Sequence, residues 1–181
     1  MSVVAVRESI INVLKAKLPK GTSVEPHGGR FDSPQEIKRF ATKAPAVLVA
    51  CVKLQLQNPG SARIIVPAGW AIFVLTRDIP QVQRDQGALA LAEAVVQQVN
   101  GNSWGRGDLG EPYDIEARNL YSGSIDNLGI ALWGVAFNQA VTSLSVDTST
   151  LENFVTFHED IDMAPADSQV DITQTTQLPQ E

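Results

Sequence analysis

Ala46-Val47-Leu48-Val49-Ala50-Cys51-Val52-Lys53-Leu54-Gln55-Leu56-Gln57 is the stretch whose reading decides the fold. Its even positions are apolar throughout. Its odd positions begin apolar, at Val47, Val49 and Cys51, and end polar, at Lys53, Gln55 and Gln57. A period of two marks a strand, and a strand apolar on both sides must be covered on both sides. Burial is therefore expected on two faces at its start and on one face at its end. Cys51 falls in the doubly buried part and reads as a small core residue rather than a reactive thiol. Asn58-Pro59-Gly60 reads as a turn. The chain then returns from Arg63 to Arg77, rich in Ile, Val, Phe and Trp, as an antiparallel partner. Pro67 and Gly69 inside that run point to a bulge or an edge position.

Upstream, Val6, Ile10, Val13, Leu14 and Leu18 recur at helical spacing and predict a helix over Val3 to Leu18, stopped by Pro19 and Gly21. Thr22 to Glu25 is a short extended piece. Ser33-Pro34-Gln35-Glu36 reads as a capping box with Pro at the first helical position, opening a short helix to about Thr42. Downstream, Gln81 to Val99 carries an apolar stripe at Ala88, Leu89, Ala92, Val95, Val96 and Val99, and Asn100-Gly101 is a fitting stop. A glycine-rich loop, Gly101 to Gly110, leads to a strand at Tyr113 to Asn119, in which Tyr113, Ile115 and Ala117 alternate with charges. Turn residues follow at Ser122 to Asn127, and a long strand runs from Leu128 to about Val141. The order is α, β, α, β, β, α, β, β. The expected class is α/β (α+β), an antiparallel-rich sheet of four or more strands with the two main helices packed on one face.

Composition bounds the function classes. The chain has 181 residues, 44% hydrophobic and 19% charged, enough to bury a sizeable core without staples. One cysteine excludes a disulfide framework and any multi-cysteine zinc site, and two histidines exclude a His-rich metal centre. Lys53, Arg63 and Arg77 break the longest apolar runs below the ~18 residues that a membrane span needs. Met1 to Arg7 carries no charged region leading into an apolar stretch. The expectation is a soluble protein of a reducing compartment.

Charge is uneven. Residues 1–118 hold all 14 basic side chains and 11 acidic ones, a formal +3, whereas residues 119–181 hold 9 acidic side chains and none that are basic. Such asymmetry marks an interaction tail, or an acidic end that only aids solubility. A pI near 4.9 argues against general nucleic-acid binding, which calls for a basic stripe. Thr142 to Glu181 is rich in Ser, Thr, Asp and Gln, with an apolar island at Phe154, Val155, Phe157, Ile161 and Met163. Val155 and Phe157 leave room for a short strand, and composition predicts weak order after Pro165. Two domains follow: a core at 1–146 and an acidic extended C-terminal arm at 147–181.

No motif assigns catalysis. Gly101-Asn102-Ser103-Trp104-Gly105 fits the G-x-S-x-G nucleophile elbow, His27-Gly28-Gly29 an oxyanion loop, and His158 follows in the right order for a triad. That chemistry needs the serine on a turn from strand into helix, whereas Ser103 follows a helix. Arg106-Gly107-Asp108 reads as a turn. Glu159, Asp160 and Asp162 lack the glycine hinge and terminal glutamate of a calcium loop. Phosphate-cradling and dinucleotide fingerprints are absent, so catalytic, cofactor and metal residues are all expected to be none. Trp104, among glycines, is either folded back on the core or offered to a partner. The candidate interface residues are Trp104, Arg106, Phe154, Phe157 and Ile161.

The element order resembles the tail terminator proteins of Mu-like phages. The resemblance is carried by Ile10-Ile11-Asn12-Val13-Leu14, Pro45-Ala46-Val47-Leu48-Val49, Trp70-Ala71-Ile72-Phe73-Val74-Leu75-Thr76, Gly87-Ala88-Leu89-Ala90-Leu91-Ala92, Ala131-Leu132-Trp133-Gly134-Val135-Ala136-Phe137 and the stretch Leu151 to Met163. It covers residues 3–163. It implies a ring-forming structural protein, usually a hexamer, that caps the tail tube, halts its polymerisation and docks the head connector or neck protein. Its partners would be itself, the tube protein and the connector, with DNA passing the lumen unbound and no membrane. Its place would be the head-proximal end of the virion tail, reached through the host cytoplasm. The alternatives are a neck or tail-completion protein of the same particle, and a small intracellular enzyme or ligand-binding domain.

Overall fold

A computed structural model of the chain describes residues 2–31, 33–55, 65–79, 82–120, 125, 127–142, 156–161 and 172–177. The chain divides into two compact units, Met1–Val146 and Asp147–Glu181. The first unit interleaves three helices, α1 (Val3–Lys17), α2 (Pro34–Ala41) and α3 (Arg84–Val99), with five strands. These are β1 (Ser23–Pro26), β2 (Ala46–Leu54), β3 (Ile65–Arg77), β4 (Tyr113–Asn119) and β5 (Ile130–Thr142). They form one mixed sheet in the order β1-β2-β3-β5-β4. Only β1 with β2 is parallel; that pairing needs a crossover, which α2 supplies. The class is α+β.

Alternation along β3 splits the core in two. Ala68, Trp70, Ile72 and Val74 face one side, where Val6, Ile10, Ile11 and Leu14 of α1 and Leu91, Ala92, Val95 and Val99 of α3 cover them. Phe73 and Leu75 face the other side, where Ile37, Phe40 and Ala41 of α2 pack with Leu48 and Leu132. The two main helices thus share one face. Ser2 caps α1 by accepting from the Val4 amide at 3.2 Å, and Lys15 and Lys17 sit in its last turn, where cations complement the helix dipole. Ser33 caps α2, accepting from the Glu36 amide at 3.3 Å. Gln83 gives α3 no side-chain cap; instead Asp78 accepts from the Arg84 amide at 3.0 Å and pairs with the Arg84 guanidinium at 3.3 Å. Lys43 bonds Glu25 at 2.7 Å, tying the turn after α2 to β1 and holding the Glu25 carboxyl below its usual range.

Several expectations need correction. β3 is central rather than an edge strand. Pro67 is tolerated there because its carbonyl accepts from Gln55 and its side of the strand faces β2, whose ladder ends at Leu54–Ala68. The missing N–H costs only the last rung. The bulge falls opposite Gly69, between Cys51 and Lys53 of β2. Beyond that bulge β2 is not covered on one face: Val52 is 51% and Leu54 54% exposed, and Cys51 is half-buried. On α3, Leu89 is 53% exposed, while Leu91 takes the core position and Val96 is half-buried. A centre of gravity on Ala88, Ala92, Val95 and Val99 leaves Leu89 about a quarter-turn off the stripe. In β4 the expected alternation fails; Tyr113 and Ala117 are exposed and only Ile115 is partly covered, because the register shifts between Tyr113 and Glu116, where Asp114 has φ 52°.

In the second unit β6 (Thr156–Ile161) pairs antiparallel with β7 (Ile172–Gln177). β6 lies where a short strand was expected. β7 lies in the stretch for which composition predicts weak order. Ile172 and three threonines give that stretch the β-branched character strands favour. The Asn58-Pro59-Gly60 turn lies outside the described residues.

The phase of α3 is testable by mutation. Leu91→Ala should lower stability by about 2–4 kcal/mol and Leu89→Ala by less than about 0.5 kcal/mol in urea unfolding. The opposite ranking contradicts the packing described.

Candidate functional site

The glycine loop after α3 is the most elaborate local structure in the first unit. α3 ends as the sequence indicates, with the Asn100 amide donating to the Val96 carbonyl and Gly101 at φ 67°. Asn102 then folds the chain back: its side chain donates to the Gln98 carbonyl at 2.9 Å and accepts from the Trp104 amide at 2.7 Å. Trp104 adopts φ 56°, a conformation costing a non-glycine residue about 1–2 kcal/mol. Burial offsets that cost, since Trp104 is 3% exposed and its ring lies 6.2 Å from that of Phe137. Its indole N–H donates to Gln139 Oε1 at 2.8 Å. Gln139, itself fully buried, donates to the Asn102 and Gly110 carbonyls at 3.0 and 2.8 Å. One amide side chain near the end of β5 therefore satisfies three groups of the loop.

Of the two readings of Trp104, the structure takes the first: the ring is folded back on the core. Arg106 is half-buried and turned inward. Its guanidinium donates to Ser9 Oγ at 3.1 Å, to the Ala5 carbonyl at 3.5 Å and to Asp108 at 3.2 Å. It clamps the loop on α1. Phe154 lies outside the described residues. Phe157 and Ile161 stand in β6, opposite Thr176 and Ile172.

The remaining motifs resolve locally. Ser103 stands in the turn that leaves α3, its carbonyl accepting from the Arg106 amide at 2.9 Å, and lacks the strand-to-helix context of a nucleophile elbow. His27 belongs to a buried ring cluster, 4.5 Å from Phe31, 5.3 Å from Phe40 and 5.6 Å from Phe73. Its Nδ1 accepts from the Gly29 amide at 3.1 Å. The neutral ring therefore carries its proton on Nε2, which faces Glu36 Oε1 at 3.6 Å. The His-Gly-Gly run is thus a self-closed turn beneath α2. Burial pushes the Cys51 thiol up, which keeps it protonated and poorly nucleophilic. Among the described residues no group of three or more His, Cys, Asp or Glu gathers as metal ligands, and no helix is long and apolar enough to cross a membrane.

Surface apolarity is the feature the sequence reading missed. Val4, Val52 and Leu54 are exposed around one hollow beside the start of α1. Ile79 (48%) and Val82 (40%) are exposed beside another, at the far ends of α1 and β3. Val52 and Leu54, apolar positions that continue past the point where the odd positions of that strand turn polar, are the signal which could have pointed to the first hollow.

The Gln139 hub is testable. Gln139→Leu should destabilise the chain by about 2–4 kcal/mol, because it orphans the indole N–H and two carbonyls; Trp104→Phe should keep both carbonyl bonds. A cost for Gln139→Leu within about 0.5 kcal/mol of zero in urea unfolding contradicts the hub.

No family model matches the chain, and no curated protein matches it. Among solved structures, it is similar to a chain of the virion of a native gene transfer agent particle, at 15% identity and a TM-score of 0.45, covering 78% of this chain and 96% of that one.

Proposed function

We propose that the chain is a tail terminator of a phage-like particle: a non-enzymatic protein that forms a ring, a homohexamer, at the head-proximal end of the tail. The observation that carries the reading is the segregation of charge between the two units. Residues 147–181 hold eight carboxylates and no Lys or Arg, a formal −8, while residues 1–146 hold fourteen basic against twelve acidic side chains, a formal +2. The acidic unit lacks the cations to balance its charge, and the two strands among its described residues form a sheet of a kind that is marginal in water by itself. Neighbouring copies meet both needs. The order of helices and strands, and the buried structural roles of Trp104, Arg106 and His27, agree with a scaffold.

The function then follows from geometry. One face of a closed ring copies the docking surface of the tube and the other does not, so no further tube subunit can add. The second face is left for the head connector or neck protein. The carboxylates repel phosphate, which lets DNA pass without sticking.

Light scattering on the full chain should give a mass close to six times 19.5 kDa, and adding it to its particle's polymerising tube protein should stop elongation. A monomer or dimer that leaves tube growth unchanged contradicts the proposal.

A further inference from the structure

A largely apolar hollow lies at the far end of α1. Its volume is about 220 Å³, and Pro19, Pro45, Ile79, Val82, Leu91 and Ala94 line it. An apolar cavity of roughly 150 Å³ accepts a benzene ring, so this one has room for an aromatic side chain. Gly87, Ala90 and Ala94 also face it, and residues this small on adjacent turns of α3 let an incoming group approach the helix backbone. Arg77 lines the hollow, and Lys20 stands in the turn between its lining residues Pro19 and Thr22. Both are exposed, and neither forms an ion pair among the described residues. An apolar hollow with a cationic rim fits an apolar side chain flanked by carboxylates.

We propose that this hollow receives the acidic C-terminal segment of a second copy of the chain, with an aromatic anchor from Phe154 or Phe157. This rests on the self-association proposed above. Residues 147–163 are the stretch that combines such anchors with Glu152, Glu159, Asp160 and Asp162 and carries no cation. Charge complementarity therefore selects that segment over the chain's first 146 residues, which are net positive. Docking in trans places the carboxylates against Lys20 and Arg77 and buries the aromatic ring.

The test uses the full chain with Ala90 replaced by the photo-reactive p-benzoylphenylalanine, mixed with isotope-labelled chain and irradiated. Mass spectrometry should find cross-links between copies, joining position 90 to peptides within residues 147–163. Lys20→Glu with Arg77→Glu should weaken association about ten-fold at low salt, and Glu159→Lys with Asp160→Lys should restore it. Cross-links confined to residues 1–146, links only within one chain, no link, or association indifferent to the charge reversal would each overturn the docking. If rings form while position 90 links elsewhere, only this docking fails; if the chain stays monomeric, the ring reading fails with it.

Discussion

The constraint on which the first unit depends is the central position of β3, a strand apolar on both sides. Trp70, Ile72 and Val74 require cover on one face, and Phe73 and Leu75 require it on the other. Because β2 and β5 pair with β3 on either edge and share its alternation, the demand spreads across the sheet. Two long helices meet it on one side. On the other side the shorter α2 meets it only at the end where Phe31, Phe40, Phe73 and His27 gather. The loop that leaves α3 is fixed by the same strand system, since Gln139 stands beside Ala68 of β3, its register partner, on the same face of the sheet.

Beyond that core the chain looks outward. Among the described residues, Val4, Val52 and Leu54 are exposed around one hollow and Ile79 and Val82 beside another, and grouped exposed apolar surface marks association. Its charge is segregated by unit. Like charges gathered in one small unit repel one another. Both are accounted for if copies of the chain lie against one another.

Periodicity made most of the fold legible. The alternation at Ala46 to Val49 and the stripe at Ala88, Ala92, Val95 and Val99 located the central strands and the main helix, because each records which side of an element meets the core. What periodicity cannot record is a partner several dozen residues away. The parallel pairing of β1 and the insertion of β5 between β3 and β4 are tertiary facts of that kind, whereas Pro67 and Gly69 do signal the bulge opposite them. Leu89 was misplaced because Leu89, Ala90 and Leu91 satisfy two helical phases equally, and only packing against the sheet chooses between them. Trp104 was ambiguous because its fate depends on Gln139, 35 residues on. β7 was missed because Thr and Gln lower hydropathy while Thr still favours a strand.

The central claim is that the acidic unit is ordered by other copies of the chain. Amide hydrogen exchange at Thr156–Ile161 and Ile172–Gln177, followed across a wide range of protein concentration, tests it most directly. Protection in those strands should rise with concentration, in step with assembly, while protection in β3 stays constant. Protection that is strong and unchanged at concentrations where the chain is monomeric would contradict the account.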